Sequence, residues 1–68
     1  MDCVLDCGDK AIPIEIKSTA HVSRSDASGV LAFLAEYPHA AKHGSIVTNG
    51  TAPEKLSDSV TAIPWHML

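Results

Sequence analysis

Two acidic residues and one lysine near the start of the chain have the types and spacing of a metal-dependent site. Glu15 and Lys17 stand two residues apart in the segment Ile12–Lys17, where apolar and polar residues alternate. Such alternation predicts a β-strand, on which residues two apart lie on the same face. Asp2 would join them if the chain before this segment folded back as a hairpin. Asp2, Glu15 and Lys17 therefore form one candidate site.

Two chemical interpretations of this site remain open. Two carboxylates at one end of a sheet can hold a hard divalent cation such as Mg²⁺, and the main-chain carbonyl of Ile16 could add a ligand. Lys17 could then orient a water or stabilise charge at a phosphoryl centre. The ordinary alternative is a solvated Glu15–Lys17 ion pair on an exposed strand face, backed by three isoleucines. Spacing alone favours that alternative, because sheets covered on one side expose their polar residues.

The elements that would position these residues begin with a hairpin. Residues 1–6 and 11–17 read as strands, joined through the turn 7–10, where Gly8 is placed for a tight bend. Pro13 lacks an amide donor, so it predicts an edge position or an unpaired amide at that point of the second strand. The closed hairpin would bring Asp2 to the end of the strand that carries Glu15 and Lys17.

A helix is predicted after a polar loop. Ser25 or Asp26 would cap a helix that begins near Ala27 and stops before Pro38. Its apolar residues are spaced to form one buried stripe, comprising Val30, Leu31, Phe33, Leu34 and Tyr37.

Two further strands follow the helix, at residues 45–48 and 60–64, separated by a polar loop at 51–59. Trp65 begins an apolar tail and is expected to cap the core. The order β-β-α-β-β predicts an α/β fold, a mixed sheet with one helix on one face and a parallel connection across the helix. Such a sheet leaves its other face uncovered, so the chain is expected to be one small domain, residues 1–68, that forms a fragment of a larger one.

Composition narrows the function classes. The chain has 68 residues, a formal charge of −3 and no basic run, which argues against strong nucleic-acid binding by the chain alone. Two cysteines are too few for a secreted disulfide scaffold. No secretory signal or membrane-spanning apolar run is recognisable. A cytoplasmic location is the expectation.

A zinc site is the other metal hypothesis that the sequence raises. Cys3 and Cys7 form one pair of potential ligands, and His39 and His43 form another. The spacing within each pair and the long separation between the pairs are untypical of zinc sites. Ordinary packing and surface roles are therefore favoured for these four residues.

The arrangement resembles the second half of the PD-(D/E)xK, or restriction-endonuclease-like, fold. In that family an Asp at the start of one strand is followed by Glu-x-Lys at the end of the next, and then by a helix and a strand. More narrowly, Asp2–Leu5, Gly8, Pro13–Lys17 and Ala62–Trp65 resemble the C-terminal domain of predicted prokaryotic AAA-type ATPases, many of which carry a domain of unknown function. The resemblance implies that Asp2 and Glu15 bind metal and that Lys17 is catalytic.

The sequence departs from that family in ways that bear on function. The sequence lacks the N-terminal helix and the first strand of that fold, and it has no acidic residue before Asp2. It also contains no phosphate-binding loop of an ATPase. Two hypotheses follow: a non-catalytic interaction module of an ATPase-type protein, which is favoured, or a Mg²⁺-dependent nuclease acting on DNA. In either case the exposed sheet edge and face predict a homodimer, and an ATPase domain is a further candidate partner.

Overall fold

The computed structural model describes residues 2–68 as a five-stranded sheet with one α-helix. The elements in chain order are β1 (Cys3–Asp6), β2 (Ala11–Ile16), α1 (Ser28–Glu36), β3 (Gly44–Thr48), β4 (Glu54–Lys55) and β5 (Val60–Pro64). Single 3-10 turns at Arg24–Ala27 and Trp65–Met67 complete the chain. The predicted α/β class is therefore confirmed, with β4 as an additional two-residue strand inside the predicted loop 51–59.

The sheet is mixed and has the strand order β1-β2-β3-β5-β4. Both outer pairs, β1 with β2 and β4 with β5, are antiparallel hairpins. The inner strands β2, β3 and β5 run parallel, so the connection through α1 is a parallel crossover as predicted. The carboxyl ends of these three strands meet at one edge of the sheet, which is where open α/β sheets commonly place their ligand sites.

The β1–β2 hairpin turns at Gly8, whose φ of 86° is a left-handed conformation that glycine adopts without a steric penalty. The Cys7 N–H donates to the carbonyl of Lys10 at 2.8 Å, and the Gly8 N–H donates to Asp6 Oδ1 at 3.0 Å. The predicted turn is confirmed. The predicted first strand is shorter than expected, beginning at Cys3, and Met1 lies outside the described residues.

Pro13 lies in an interior strand, so of the two alternatives predicted for it the unpaired amide applies and the edge position does not. β2 has β1 on one side and β3 on the other. Pro13 pairs with Val4, whereas the parallel ladder between β2 and β3 starts one residue later, at Ile14. The missing amide is tolerated because Pro13 precedes the residues that pair with β3.

The core lies between α1 and one face of the sheet. Its buried members come from the helical segment, β3, β5 and the turn before β5: Ala27, Val30, Ile46, Leu56, Val60 and Ala62. A Cβ on Gly44 would collide with Val30 and would lie 3.1 Å from Cγ of Pro13. The helix therefore covers the face of β2 that carries Pro13, whose side chain is fully buried.

The covered face of β2 is the one that carries the charged residues, which reverses the expectation. Ile12 and Ile16 lie on the opposite side and are 39% and 61% exposed. Leu5 of β1 pairs with Ile12 and is 48% exposed. The strand alternation was predicted correctly. The isoleucines do not back the site with a core, because α1 packs on the other face; they form an uncovered apolar surface, called here the open face.

The helix begins later and buries less than its sequence suggests. The Ser23 N–H donates to Asp26 Oδ2 at 2.8 Å, so Asp26 closes the preceding 3-10 turn, and α1 itself has no side-chain cap. Tyr37 is 46% exposed and Trp65 is 62% exposed, so Trp65 does not cap the core. α1 has nine residues, and no helix within residues 2–68 has the length and apolar character to cross a bilayer.

Candidate functional site at the carboxyl end of β2

The structure brings Asp2, Glu15, Ile16 and Lys17 to the same end of the β1–β2 hairpin. Cys3 pairs with Ile14, so Asp2 comes next to Glu15 in the antiparallel register. The Asp2 carboxylate accepts a hydrogen bond from the Ile16 N–H, with Oδ2 at 2.8 Å from the nitrogen. The hairpin predicted from the sequence is therefore the element that positions Asp2.

Glu15 and Lys17 form an ion pair, with 3.3 Å between Lys17 Nζ and Glu15 Oε2. The Glu15 side chain is only 17% exposed and that of Lys17 is 38% exposed, so the pair is half-buried rather than fully solvated. The Lys17 N–H donates to the carbonyl of Val47 at 2.9 Å, which continues the β2–β3 pairing by one residue. The lysine backbone is thus fixed, and its ammonium reaches back along the strand to the carboxylate.

Gly29 of α1 lies directly against this carboxylate. A Cβ built at Gly29 would be 3.2 Å from Glu15 Oε1, closer than ordinary van der Waals contact. Sequence reasoning did not single out Gly29. A signal was available, because glycine within a helix is unfavourable by up to ~1 kcal/mol relative to alanine, so its presence in the first turn can indicate close packing.

The loop after Lys17 is attached to the end of β3. The Asn49 N–H donates to the carbonyl of Thr19 at 2.9 Å, and a Cβ on Gly50 would lie 2.9 Å from the carbonyl oxygen of Ala20. Thr19 Oγ1 donates to the carbonyl of His21 at 3.1 Å, so this hydroxyl has a local structural partner. Thr19 therefore shapes the loop.

The donor set agrees in type with a magnesium site, since it consists of two carboxylates and a main-chain carbonyl. The oxygens are nevertheless already used within the chain. Asp2 accepts the Ile16 amide, and Glu15 accepts the Lys17 ammonium. A cation at this position would compete with Lys17 for Glu15. The ligand set Asp2, Glu15 and Ile16 and the catalytic role of Lys17 remain predictions.

The second metal hypothesis concerned Cys3, Cys7, His39 and His43. Both cysteines are free and exposed. Within residues 2–68, no three His, Cys, Asp or Glu side chains are grouped closely enough to hold a metal ion. Cys7, His39 and His43 nevertheless lie around one cleft, whereas Cys3 does not line it.

Comparison with known proteins places the chain in a family. No curated protein and no solved structure matches it. A family model described as a domain of unknown function, DUF4143, matches residues 1–68. That description assigns no activity. The matched residues include the hairpin, the helix and all the strands described above. The chain is a member of the DUF4143 family.

Proposed function

We propose that this domain is a non-catalytic, restriction-endonuclease-like interaction module of an ATPase-type prokaryotic protein, in which the nuclease-type residues stabilise the fold. The observation that carries the proposal is the internal pairing of the site. Asp2 holds the Ile16 amide, and Glu15 holds Lys17 beneath α1. The free cysteines agree with a reducing, cytoplasmic setting.

The internal pairing has a clear structural use. Asp2 lies just outside β1, and its bond to Ile16 fastens the open end of the hairpin. Glu15 is largely shielded from water, and a shielded carboxylate is costly unless a cation or hydrogen-bond donors compensate it. Lys17 supplies that compensation. These three side chains would therefore be needed in this fold even if no reaction took place.

A second candidate function is Mg²⁺-dependent hydrolysis of phosphodiester bonds in DNA. The observation that favours it is the position of the same residues at the carboxyl ends of the parallel strands. In that case Asp2 and Glu15 would hold the metal together with the Ile16 carbonyl, and Lys17 would have to release Glu15 to stabilise charge on the phosphate. The net charge of −3 does not assist DNA binding.

Metal titration of the full chain followed by NMR separates these two functions. For the structural role, we expect no saturable shift of the Asp2, Glu15 or Lys17 signals at millimolar Mg²⁺ or Mn²⁺. Saturable shifts confined to these residues, abolished by Asp2→Asn and by Glu15→Gln, would overturn it in favour of the metal site. Hydrolysis of DNA that requires Mg²⁺ and disappears in Lys17→Met would do the same. Contaminating nuclease would survive that substitution.

We also propose that the chain forms a homodimer through β1. This strand is at the edge of the sheet and pairs only with β2 among the described residues. All four of its residues are exposed, and Leu5 extends the open face up to this edge. Antiparallel pairing of β1 with a second copy would satisfy the free edge and join two open faces about a twofold axis. An ATPase domain of the same protein is the alternative occupant.

A further inference from the structure

A cleft of about 620 Å³ lies at the opposite end of β2 from the Glu15–Lys17 pair. One wall comes from the β1–β2 turn and the start of β2, including Cys7 and Lys10. The other comes from the connection between α1 and β3, including His39, Lys42 and His43. The volume is within the range of ~300–1,000 Å³ that is usual for small-molecule sites.

Backbone hydrogen bonds hold the two walls together. The Ala11 N–H donates to the carbonyl of Ala40 at 2.8 Å and so joins β2 directly to the connection. The Ala41 N–H donates to the carbonyl of Tyr37 at 2.9 Å, which fixes the connection to the end of α1. The cleft is therefore formed by ordered backbone on both sides, and a ligand would not have to assemble it.

The charge of the cleft is opposite to that of the molecule. The chain carries −3, yet the lining contains two lysines and two histidines and no carboxylate. Lys17 and Lys55 have carboxylate partners, whereas Lys10 and Lys42 have none within residues 2–68. Asp6, in the adjoining strand, is engaged with the Gly8 amide and does not line the cleft.

The lining also indicates which anion would fit. It contains two lysines, which bind phosphate as point charges and match the charge of about −2 on a phosphate monoester, twice that of a carboxylate. Lys10 on one wall, with Lys42, His39 and His43 on the other, can approach a tetrahedral group from several directions. Ala11, Ile12 and Ala40 add an apolar surface beside them.

We propose that this cleft binds a small phosphate monoester with an apolar or aromatic body. The phosphate would lie between Lys10 and Lys42, with His39 and His43 as further donors, and the body would lie against Ala11, Ile12 and Ala40. This site is separate from the Asp2–Lys17 site and does not depend on the function proposed for it.

The two cysteines allow a direct test with the full chain. Cys7 lines the cleft and Cys3 does not, and both are exposed and free. In phosphate-free buffer, phenyl phosphate should slow the alkylation of Cys7 by iodoacetamide in the Cys3→Ser variant. It should leave the alkylation of Cys3 in the Cys7→Ser variant unchanged. Equal protection of both cysteines, or protection of neither, would overturn the proposal.

Affinity measured by NMR titration gives the second readout. We expect a Kd for phenyl phosphate of ~1 mM or below, weakened at least about tenfold by Lys10→Met combined with Lys42→Met. Lys55→Met is the matched control, because Lys55 is an exposed lysine on β4, away from the cleft, and it should leave the Kd unchanged. Phenol lacks the phosphate and should not saturate. Equal weakening by the control variant, or saturation by phenol, would contradict the proposal.

Discussion

At the scale of single residues, two glycines allow the helix to approach the sheet. Gly44 of β3 faces the buried side chains of Val30 and Pro13. A methyl group at position 44 has no room, because it would collide with Val30. Gly29 of α1 faces the end of the Glu15 side chain, which can rotate away. The same change of glycine to alanine should therefore have opposite consequences at the two positions.

We expect Gly44→Ala to lower the free energy of unfolding by about 1–3 kcal/mol, because overpacking forces neighbouring side chains out of their preferred rotamers. Gly29→Ala should be neutral or stabilising by up to ~1 kcal/mol, because alanine favours the helix and Glu15 can yield. Urea unfolding followed by circular dichroism measures both. Equal destabilisation by the two substitutions would contradict the packing described here.

Asp2 gives a second prediction at this scale, because its carboxylate fastens the end of the hairpin. Asp2→Ala should cost about 1 kcal/mol of the free energy of unfolding, the usual net value of a hydrogen bond. Asp2→Asn keeps an acceptor oxygen and should cost less. Asp9→Ala, at an exposed position in the hairpin turn, is the control and should stay within about 0.5 kcal/mol of the parent. A cost for Asp2→Ala no greater than for the control would show that the bond has no structural role.

At the scale of elements, the position of α1 decides the character of both faces of β2. Along β2 and the residue that follows it, isoleucines lie on one side, and Pro13, Glu15 and Lys17 lie on the other. The helix packs on the second set: Val30 and Pro13 both lie against Gly44, and Gly29 lies against Glu15. Ile46, which pairs with Glu15 in the neighbouring strand, is consequently in the core, whereas Ile16 is 61% exposed.

The pair Ile46→Val and Ile16→Val tests this assignment of faces with one chemical change. Ile46 is completely buried, so its substitution should lower the free energy of unfolding by about 0.5–1.5 kcal/mol. Ile16→Val should change it by less than about 0.5 kcal/mol. Chemical denaturation measures both free energies of unfolding, and a low protein concentration prevents self-association from contributing to them. A larger loss of stability for Ile16→Val than for Ile46→Val would contradict this assignment of the two faces.

At the scale of the whole molecule, α1 covers one face of the sheet and leaves the other uncovered. The open face carries Leu5, Ile12 and Ile16, all more than a third exposed, and it reaches the free edge at β1. A 68-residue chain has little core to compensate for such exposure. Association through this edge and face would therefore stabilise the fold as well as define a partner.

Light scattering of the purified chain should give the mass of a dimer, and Leu5→Lys should shift it to a monomer, because a lysine on an edge strand opposes edge-to-edge pairing and interrupts the apolar surface that pairing would join. Ala32→Lys, at an exposed position of α1 on the other side of the sheet, is the matched control and should remain dimeric. A monomer for the parent chain at high concentration would rule out self-association. The open face would then be left to an ATPase domain.

The sequence alone determined the local elements of this protein. Alternation between residues 11 and 17, the glycine at position 8 and the proline at position 38 predict the hairpin and the end of the helix, because each acts through neighbouring backbone geometry. The same local order brings Asp2 next to Glu15. A period of two identifies two faces of a strand and does not say which one the helix will cover.

The tertiary structure decided the rest. The shielding of Glu15 depends on Gly29 packing over the polar face, a contact between segments that are distant in sequence. The cleft likewise unites Lys10 with Lys42 through the Ala11–Ala40 hydrogen bond. Long-range packing of this kind leaves no periodic signal in the chain, because it depends on which apolar surfaces bury one another. Packing of α1 on the polar face of β2 shields an ion pair that the sequence indicated to be solvated, and it leaves the isoleucines of the open face exposed.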